Sequence, residues 1–256
     1  MNRYQNNDEI SVYVCRGDVC NRVSLGGRGL GLGRVKENYD APTDITLDSI
    51  ATKLSTKIWI LEEMATISST QKLTINSGET LTIISSGMLT NEGAIVNNGT
   101  INSTGYFDNK GLFTNNSTLN ILNLHFTKGR ITNNGVFTCK TNGSVIISGS
   151  MKEADLVNQG KIIINSGCSF TLENVTLDNQ NTITNDGIMR IGREENSIGV
   201  VSINNVGEIL NNSIIEFLAT EGIYIFENNI INGSNSICML LGSRSDCNIN
   251  HVVPDY

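Results

Sequence analysis

A large apolar residue returns every six positions through "LTNEGAIVNNGTINSTGYFDNKGLFTNNSTLNI", residues 89–121: Leu89, Ile95, Ile101, Phe107, Phe113 and Leu119. Asn91, Asn97, Asn109 and Asn115 each follow two places behind one of these, and Gly or Ser usually stands four places behind. An even period puts every marked apolar residue on one side of an extended chain. A helix of 3.6 residues per turn would spread the same residues around its circumference, and Gly, Asn and β-branched residues are poor helix formers. The segment therefore reads as strand. Strands usually run about 3–10 residues, so the chain has to turn every six to eight. The Asn-x-Gly elements are the expected turns, because Asn and Gly both enter the left-handed region at low cost.

The unit recurs as ITNNGVF (131–137), LVNQGKI (156–162), ITNDGIM (183–189) and ILNNSII (209–215), with a degenerate copy at 203–209. Leu73, Leu81 and Leu89 keep an eight-residue beat, and KLTINSGETLTI (72–83) is echoed by KIIINSGCSFTL (161–172). A hairpin meander would reverse direction at each turn. A coil that keeps one sense of rotation stacks like on like, so amides can form ladders along the axis and apolar residues a continuous core. The expected fold is all-β, a single-stranded parallel β-helix or β-solenoid, right-handed. It has roughly nine coils of about 20 residues over 65–235, stacked at about 4.8 Å.

Four regions follow. Residues 1–43 form an N-terminal segment with a mobile Gly-rich arm, SLGGRGLGLGR (24–34). Residues 44–64 form a short amphipathic helix capping the first coil, because Leu47, Ile50, Leu54, Ile58 and Leu61 recur at 3–4 spacing. Trp59, the only tryptophan, is read as packing of that cap. Residues 65–222 are the solenoid, and 223–256 form C-terminal strands or a second cap, as an open coil end invites edge pairing.

Net charge is −7, which argues against a nucleic-acid surface. No run approaches the about 18 apolar residues of a membrane span. MNRYQNNDEISVYVC has no apolar core of a signal peptide, which implies an intracellular chain or unconventional export. Aromatics are only 5%, few for a compact globular core. The six cysteines form no CxxC pair and the two histidines lie far from them, so no zinc site or other cofactor is expected. Unpaired, partly buried thiols are the expected state, with Cys15–Cys20 and Cys238–Cys247 as the local disulfides under oxidising conditions.

One tripeptide suggests a specific partner. Arg16-Gly17-Asp18, flanked by Cys15 and Cys20, is the sequence read by many integrins, and a closed loop would lose less entropy on binding. The Gly-rich arm lacks both GxGxxG and GxxxxGK[ST] spacing. For an enzymatic β-helix, Asp178 and Asp186 are the best acid pair, with Arg190 or Lys161 in support. The other acids are scattered. For glycan binding, Tyr106, Phe107 and Phe113 are the nearest aromatics, although the two phenylalanines fall on the core beat. A threonine ladder of the ice-binding type does not persist through the repeats.

The stretch KLTINSGETLTIISSGMLTNEGAIVNNGTINSTGYFDNKGLFTNN resembles Asn/Gly-rich β-solenoid repeats of bacterial surface adhesins, phage tail proteins and proteins of large DNA viruses. The likeness covers about residues 65–215 and concerns repeat positions, so it carries over no catalytic or binding residue. It implies a structural or adhesive, non-enzymatic component of a virion or surface: a spike, fibre or coat protein. The expected partners are other structural proteins or host surface glycans and receptors, and association through the flanks or caps of the coil would give a homotrimer or a place in a coat lattice. The alternative is a carbohydrate-binding or polysaccharide-cleaving β-helix.

Overall fold

The computed structural model describes residues 10–16, 19–25, 41–149, 154–192, 201–218, 223–226, 230–234, 236–240 and 243–245. The chain divides into two compact units, Met1–Ala41 and Pro42–Tyr256. In the first, Ile10–Arg16 and Val19–Leu25 pair as an antiparallel hairpin with Cys15 opposite Cys20 and Arg16 opposite Val19. The Gly-rich arm from residue 26 onward lies outside the described residues.

The second unit is a parallel β-solenoid with three faces. The first face is a nine-stranded parallel sheet running from Thr43–Ile45 through Gln71–Ile75, Ala94–Asn97, Leu112–Asn115, Gly129–Asn133, Ala154–Asn158, Val175–Asn179 and Val201–Asn205 to Ile223–Phe226. Each coil continues onto a second face and then a third. Thr80–Ile83 and Met88–Asn91, for example, align with 100–103 and 106–109 of the next coil. The six-residue beat is thereby explained. Ile95, Ile101 and Phe107 lie on the first, second and third faces of one coil, and Phe113 returns to the first, in register with Ile95. Three hexapeptides make an 18-residue coil.

The period stretches where turns are inserted. Equivalent asparagines stand 18, 18, 25, 21 and 26 residues apart along the first corner. The echo between 72–83 and 161–172 turns out to repeat a strand–turn–strand unit and not a position in the coil. The earlier copy joins the first face to the second, the later copy the second to the third. Both pass through a glycine of positive φ, Gly78 (80°) and Gly167 (76°).

At most corners the glycine has a different role from the one the sequence suggests. Positive φ among the described residues is confined to Gly78, Gly129, Gly167, Gly192, Asn142 and Asn174. Gly99 does not need it. Its coil lies so close on the one before that a Cβ would overlap the carbonyl oxygens of Asn76 and Glu79. The corner asparagine makes the turn instead: Asn97 Oδ1 accepts the Gly99 N–H at 3.2 Å, and Asn185 does the same for Gly187.

The core is a stack of inward apolar residues from the three faces. Phe107 and Phe113 meet edge to face at 5.4 Å, consecutive beats closing one corner of the interior. Every residue of the opening beat is at most 2% exposed, and each such side chain contributes roughly 1.5–3 kcal/mol of burial.

Residues 44–64 correct the sequence reading. They hold no α-helix: the one helical element is a 3₁₀ turn, Leu47–Ser49. Thr52–Ser55 and Ile58–Leu61 instead form an antiparallel hairpin, and the latter strand starts the second face beside Thr80–Ile83. The 3–4 spacing was coincidental. Trp59 and Leu61 point inward and Ile58 and Ile60 outward, a period of two, and the next coil offers unpaired backbone groups that only a strand can satisfy. Leu54, assigned to the buried helix face, is 61% exposed. Trp59 does pack into this end, 4% exposed, donating from Nε1 to Asp48 Oδ1 at 2.9 Å under the Lys53 ammonium. The solenoid also runs past 222, with Ile223–Phe226 and Ile237–Leu240 continuing it. Each end carries one antiparallel strand, Thr52–Ser55 at the start and Ser243–Ser245 at the finish. Such strands occupy sheet edges that would otherwise recruit another chain. Seven coils of ordinary form lie between these two terminal ones.

The cysteines correct a second expectation. Cys139 and Cys168 form a disulfide, Cα–Cα 6.2 Å, joining successive coils with both residues fully buried. Cys139 ends a second-face strand, and Cys168 follows the turn at 165–167 that leads to the third face. Cys238 is disulfide-bonded as well; Cys247 lies outside the described residues. The unpaired thiols expected of a reduced protein are not found among the described residues.

Two measurements check this account. Reducing the Cys139–Cys168 bridge, which closes a separation of 29 residues, is expected to lower stability by about 3–4 kcal/mol. This is readable as a fall in melting temperature with added reductant that is larger than the fall in a Cys139→Ala/Cys168→Ala protein, which keeps the Cys238 disulfide. Replacing Asn133 by Ala leaves buried partners unpaired on both sides and is expected to cost about 2–4 kcal/mol in urea unfolding. Asn134→Ala, one residue away on the outside, is expected to change stability by less than about 0.5 kcal/mol.

Candidate functional site

The chain's polar chemistry is concentrated in its corners. At the first corner Asn97, Asn115, Asn133, Asn158, Asn179 and Asn205 form one buried ladder, each Nδ2 donating to the next Oδ1 at 2.6–2.8 Å. The same Nδ2 groups donate again to main-chain carbonyls of the following coil, as Asn97 does to Thr118 and Asn133 to Lys161. A second ladder, Asn185–Asn211–Asn232, runs at the second corner, and Asn91–Asn109 forms a third at the remaining corner. Two of the three orphaned buried atoms among the described residues fall at ladder ends. Asn91 Oδ1 has no donor because Ile67 occupies its place in the coil before, and Asn205 Nδ2 has no acceptor among the described residues.

Outside the first corner runs a parallel, exposed ladder, Asn98–Asn116–Asn134, followed by Gln159–Gln180. The proposed acid pair belongs to this outer system. Asp178 lies on the first face and accepts from Gln180 at 2.7 Å and Asn204 at 3.1 Å. Asp186 lies beyond Thr182–Asn185, at the corner between the second and third faces, and accepts from Asn212 at 2.8 Å. The two acids are thus on different sides of the coil, each held by amides. Arg190 supports neither of them. It lies on the third face, bonded to Glu216 at 2.7 Å and to the Ser169 hydroxyl. Lys161 is on the second face, in register between Val136 and Thr182.

Of the Arg-Gly-Asp tripeptide, Arg16 ends the first hairpin strand; Gly17 and Asp18 lie outside the described residues, as do the side chains around them. Phe107 and Phe113 are buried, 0% and 2% exposed, and offer no platform. Thr80, Thr100 and Thr118 do align on the second face, but Val136 and Lys161 end the column.

One constellation is chemically distinct. On the third face Tyr106, Asp108 and Lys110 alternate outward. Tyr106 is 38% exposed, while Asp108 is 7% exposed, with Oδ1 buried and without a partner. Lys110 Nζ holds the other oxygen at 3.1 Å. Thr90 from the coil before and His125 from the coil after are in register with Asp108. Burial first, and the Asp108 charge second, push the Tyr106 phenol above its ordinary range. The hydrogen bond and charge of Asp108 raise Lys110. The spare acceptor of Asp108 is itself buried, so the groups this row presents to solvent are the Tyr106 ring and the Lys110 ammonium, a pairing that suits a ligand with a flat apolar face and hydroxyl groups. The period-two reading that put Phe107 inside also put these three residues together outside, so the signal was in the sequence. Among the described residues no group of three His, Cys, Asp or Glu is placed to hold a metal ion, and no helix is long and apolar enough to cross a membrane.

No protein-family model, no curated protein and no solved structure matches the chain.

The Tyr106 site has a spectroscopic signature. Phenolate absorbance, taken as the difference between the native protein and Tyr106→Phe, should show a group titrating above the usual ~10. Asp108→Asn is expected to bring it part of the way back, since the burial remains.

Proposed function

We propose that this chain is a non-enzymatic structural and adhesive rod, a component of a virion or of another particle or cell surface. The observation that carries the reading is the disposition of the acids. Asp178 lies on the first face and Asp186 at the corner between the second and third, each bonded by an amide of the next coil, so these acids serve coil-to-coil cohesion here. A coil tied to its neighbours at three corners and along three sheets resists bending, which suits a spacer or spike. Its partners on this reading are other structural proteins of the same surface, further copies of itself, and host surface glycans or receptors.

A glycan ligand is the more specific form of the reading, supported by the exposed Tyr106 ring and the neighbouring Lys110 ammonium. The test is a broad glycan array read together with release of reducing ends from a polysaccharide panel. The expected result is no release, with any glycan binding weakened at least tenfold by Tyr106→Ala. Release of reducing ends that disappears in Asp178→Asn or Asp186→Asn would overturn the reading in favour of an enzyme. Particle fractionation is the second check: the chain should travel with purified particles, and its absence from them would count against a coat or spike role.

A further inference from the structure

The sequence contains eight Asn-x-Ser/Thr triplets, beginning at Asn98, Asn102, Asn115, Asn116, Asn142, Asn174, Asn211 and Asn232. In a chain so rich in Asn, Ser and Thr these arise by chance, so their number carries nothing. What distinguishes them is their place in the coil. Asn115 and Asn211 are fully buried, and their Nδ2 groups are ladder donors to Asn133 and Asn232. Asn116 and Asn174 also spend Nδ2 on hydrogen bonds, to Asn98 Oδ1 and to the Gly149 carbonyl. Asn98, Asn102 and Asn232 have their Oδ1 atoms held as ladder acceptors.

Asn142 differs from all of these. The chain from 136 to 148 pairs with its neighbouring coils on either side of residues 140–143, which pair with neither. Asn142 lies in that bulge, exposed, with φ at 59° and no side-chain hydrogen bond among the described residues. Its Oδ1 lies over Gly167 of the turn below. The same corner holds the Cys139–Cys168 disulfide, three residues before Asn142 and one residue after Gly167. A fully buried disulfide between coils is a bond that forms as the coils close, and such bonds form and persist in oxidising compartments. In eukaryotic cells that compartment is also where asparagine is glycosylated.

We propose that Asn142 is a site of N-linked glycosylation, with Ser144 as its recognition hydroxyl. The donor is a polyprenyl-diphosphate oligosaccharide. Asn142 Nδ2 forms a bond to the anomeric carbon as the carbon–oxygen bond to phosphate breaks. The lipid diphosphate departs, one amide proton passes to a base, and no electrons change hands. A sugar on this bulge projects from the corner without displacing a ladder bond. The same addition at Asn115 or Asn211 would force the amide out of the core and open the coil, so these two remain bare in folded protein.

The test is peptide mass spectrometry of the full chain, carried into the secretory pathway of cultured eukaryotic cells by an added signal peptide, before and after peptide-N-glycosidase. The expected result is a glycan on Asn142 in most molecules, converted to Asp on enzymatic release, with unmodified Asn115 and Asn211 and a Cys139–Cys168 linked peptide. Ser144→Ala keeps Asn142 and its backbone, and is expected to abolish the glycan while the disulfide still forms. An unmodified Asn142 in molecules that carry the disulfide would overturn the proposal. A glycan on Asn115 or Asn211 of protein with native melting behaviour would overturn it as well.

Discussion

The buried side-chain amide is the interaction on which the rest of this structure depends. A primary amide has two donors and an acceptor with two lone pairs, and in a stack of parallel coils one residue can use nearly all of them. Asn97 accepts from the Gly99 main chain and donates to Asn115 and to the Thr118 carbonyl. No aspartate could do this without burying charge, and no leucine could hold the turn. The interior amide therefore fixes three things: where the chain bends, which residue of the next coil lies above it, and how close the coils approach. The glycine two residues on is a consequence, since a coil held at that distance leaves no room for a Cβ over the carbonyls beneath.

The ladders also shape what the surface can do. Outer amides and acids from successive coils find one another in register, so Asp178, Asp186 and the Asn98–Asn116–Asn134 column are partners within the rod. Chemistry directed outward is left to places where the repeat is broken or a strand carries unlike side chains. The Tyr106–Asp108–Lys110 row is one such place, and the 140–143 bulge over the disulfide is another.

Much of the fold was legible in the sequence because the beat from Leu89 to Leu119 is uninterrupted, and only a coil turns an even period with recurring Asn into buried structure. The inner ladder was legible for the same reason. Residues 44–64 were not, because Leu47, Ile50, Leu54, Ile58 and Leu61 satisfy a helical spacing by accident, and the deciding term was the open edge of the next coil. The Cys139–Cys168 pairing was hidden too, since it depends on how many residues the inserted turns add between coils. The acids at 178 and 186 looked like a pair along the chain, but the first corner and the whole second-face strand lie between them. Tyr106 and Asp108 were visible as outward neighbours of Phe107, but the burial of the Asp108 carboxylate depends on the coils packed on either side of it.

The central claim is that the interior amides hold the coils together. Hydrogen exchange of the side-chain Nδ2 groups, followed by NMR on selectively labelled protein, tests it most directly. The account predicts that Asn115, Asn133 and Asn158 exchange only through unfolding of the coil, with protection approaching that of the slowest main-chain amides, while Asn116 and Asn134 exchange rapidly. Inner amides that exchange as fast as the outer ones would show that the ladder is not made in solution, and the account would fail.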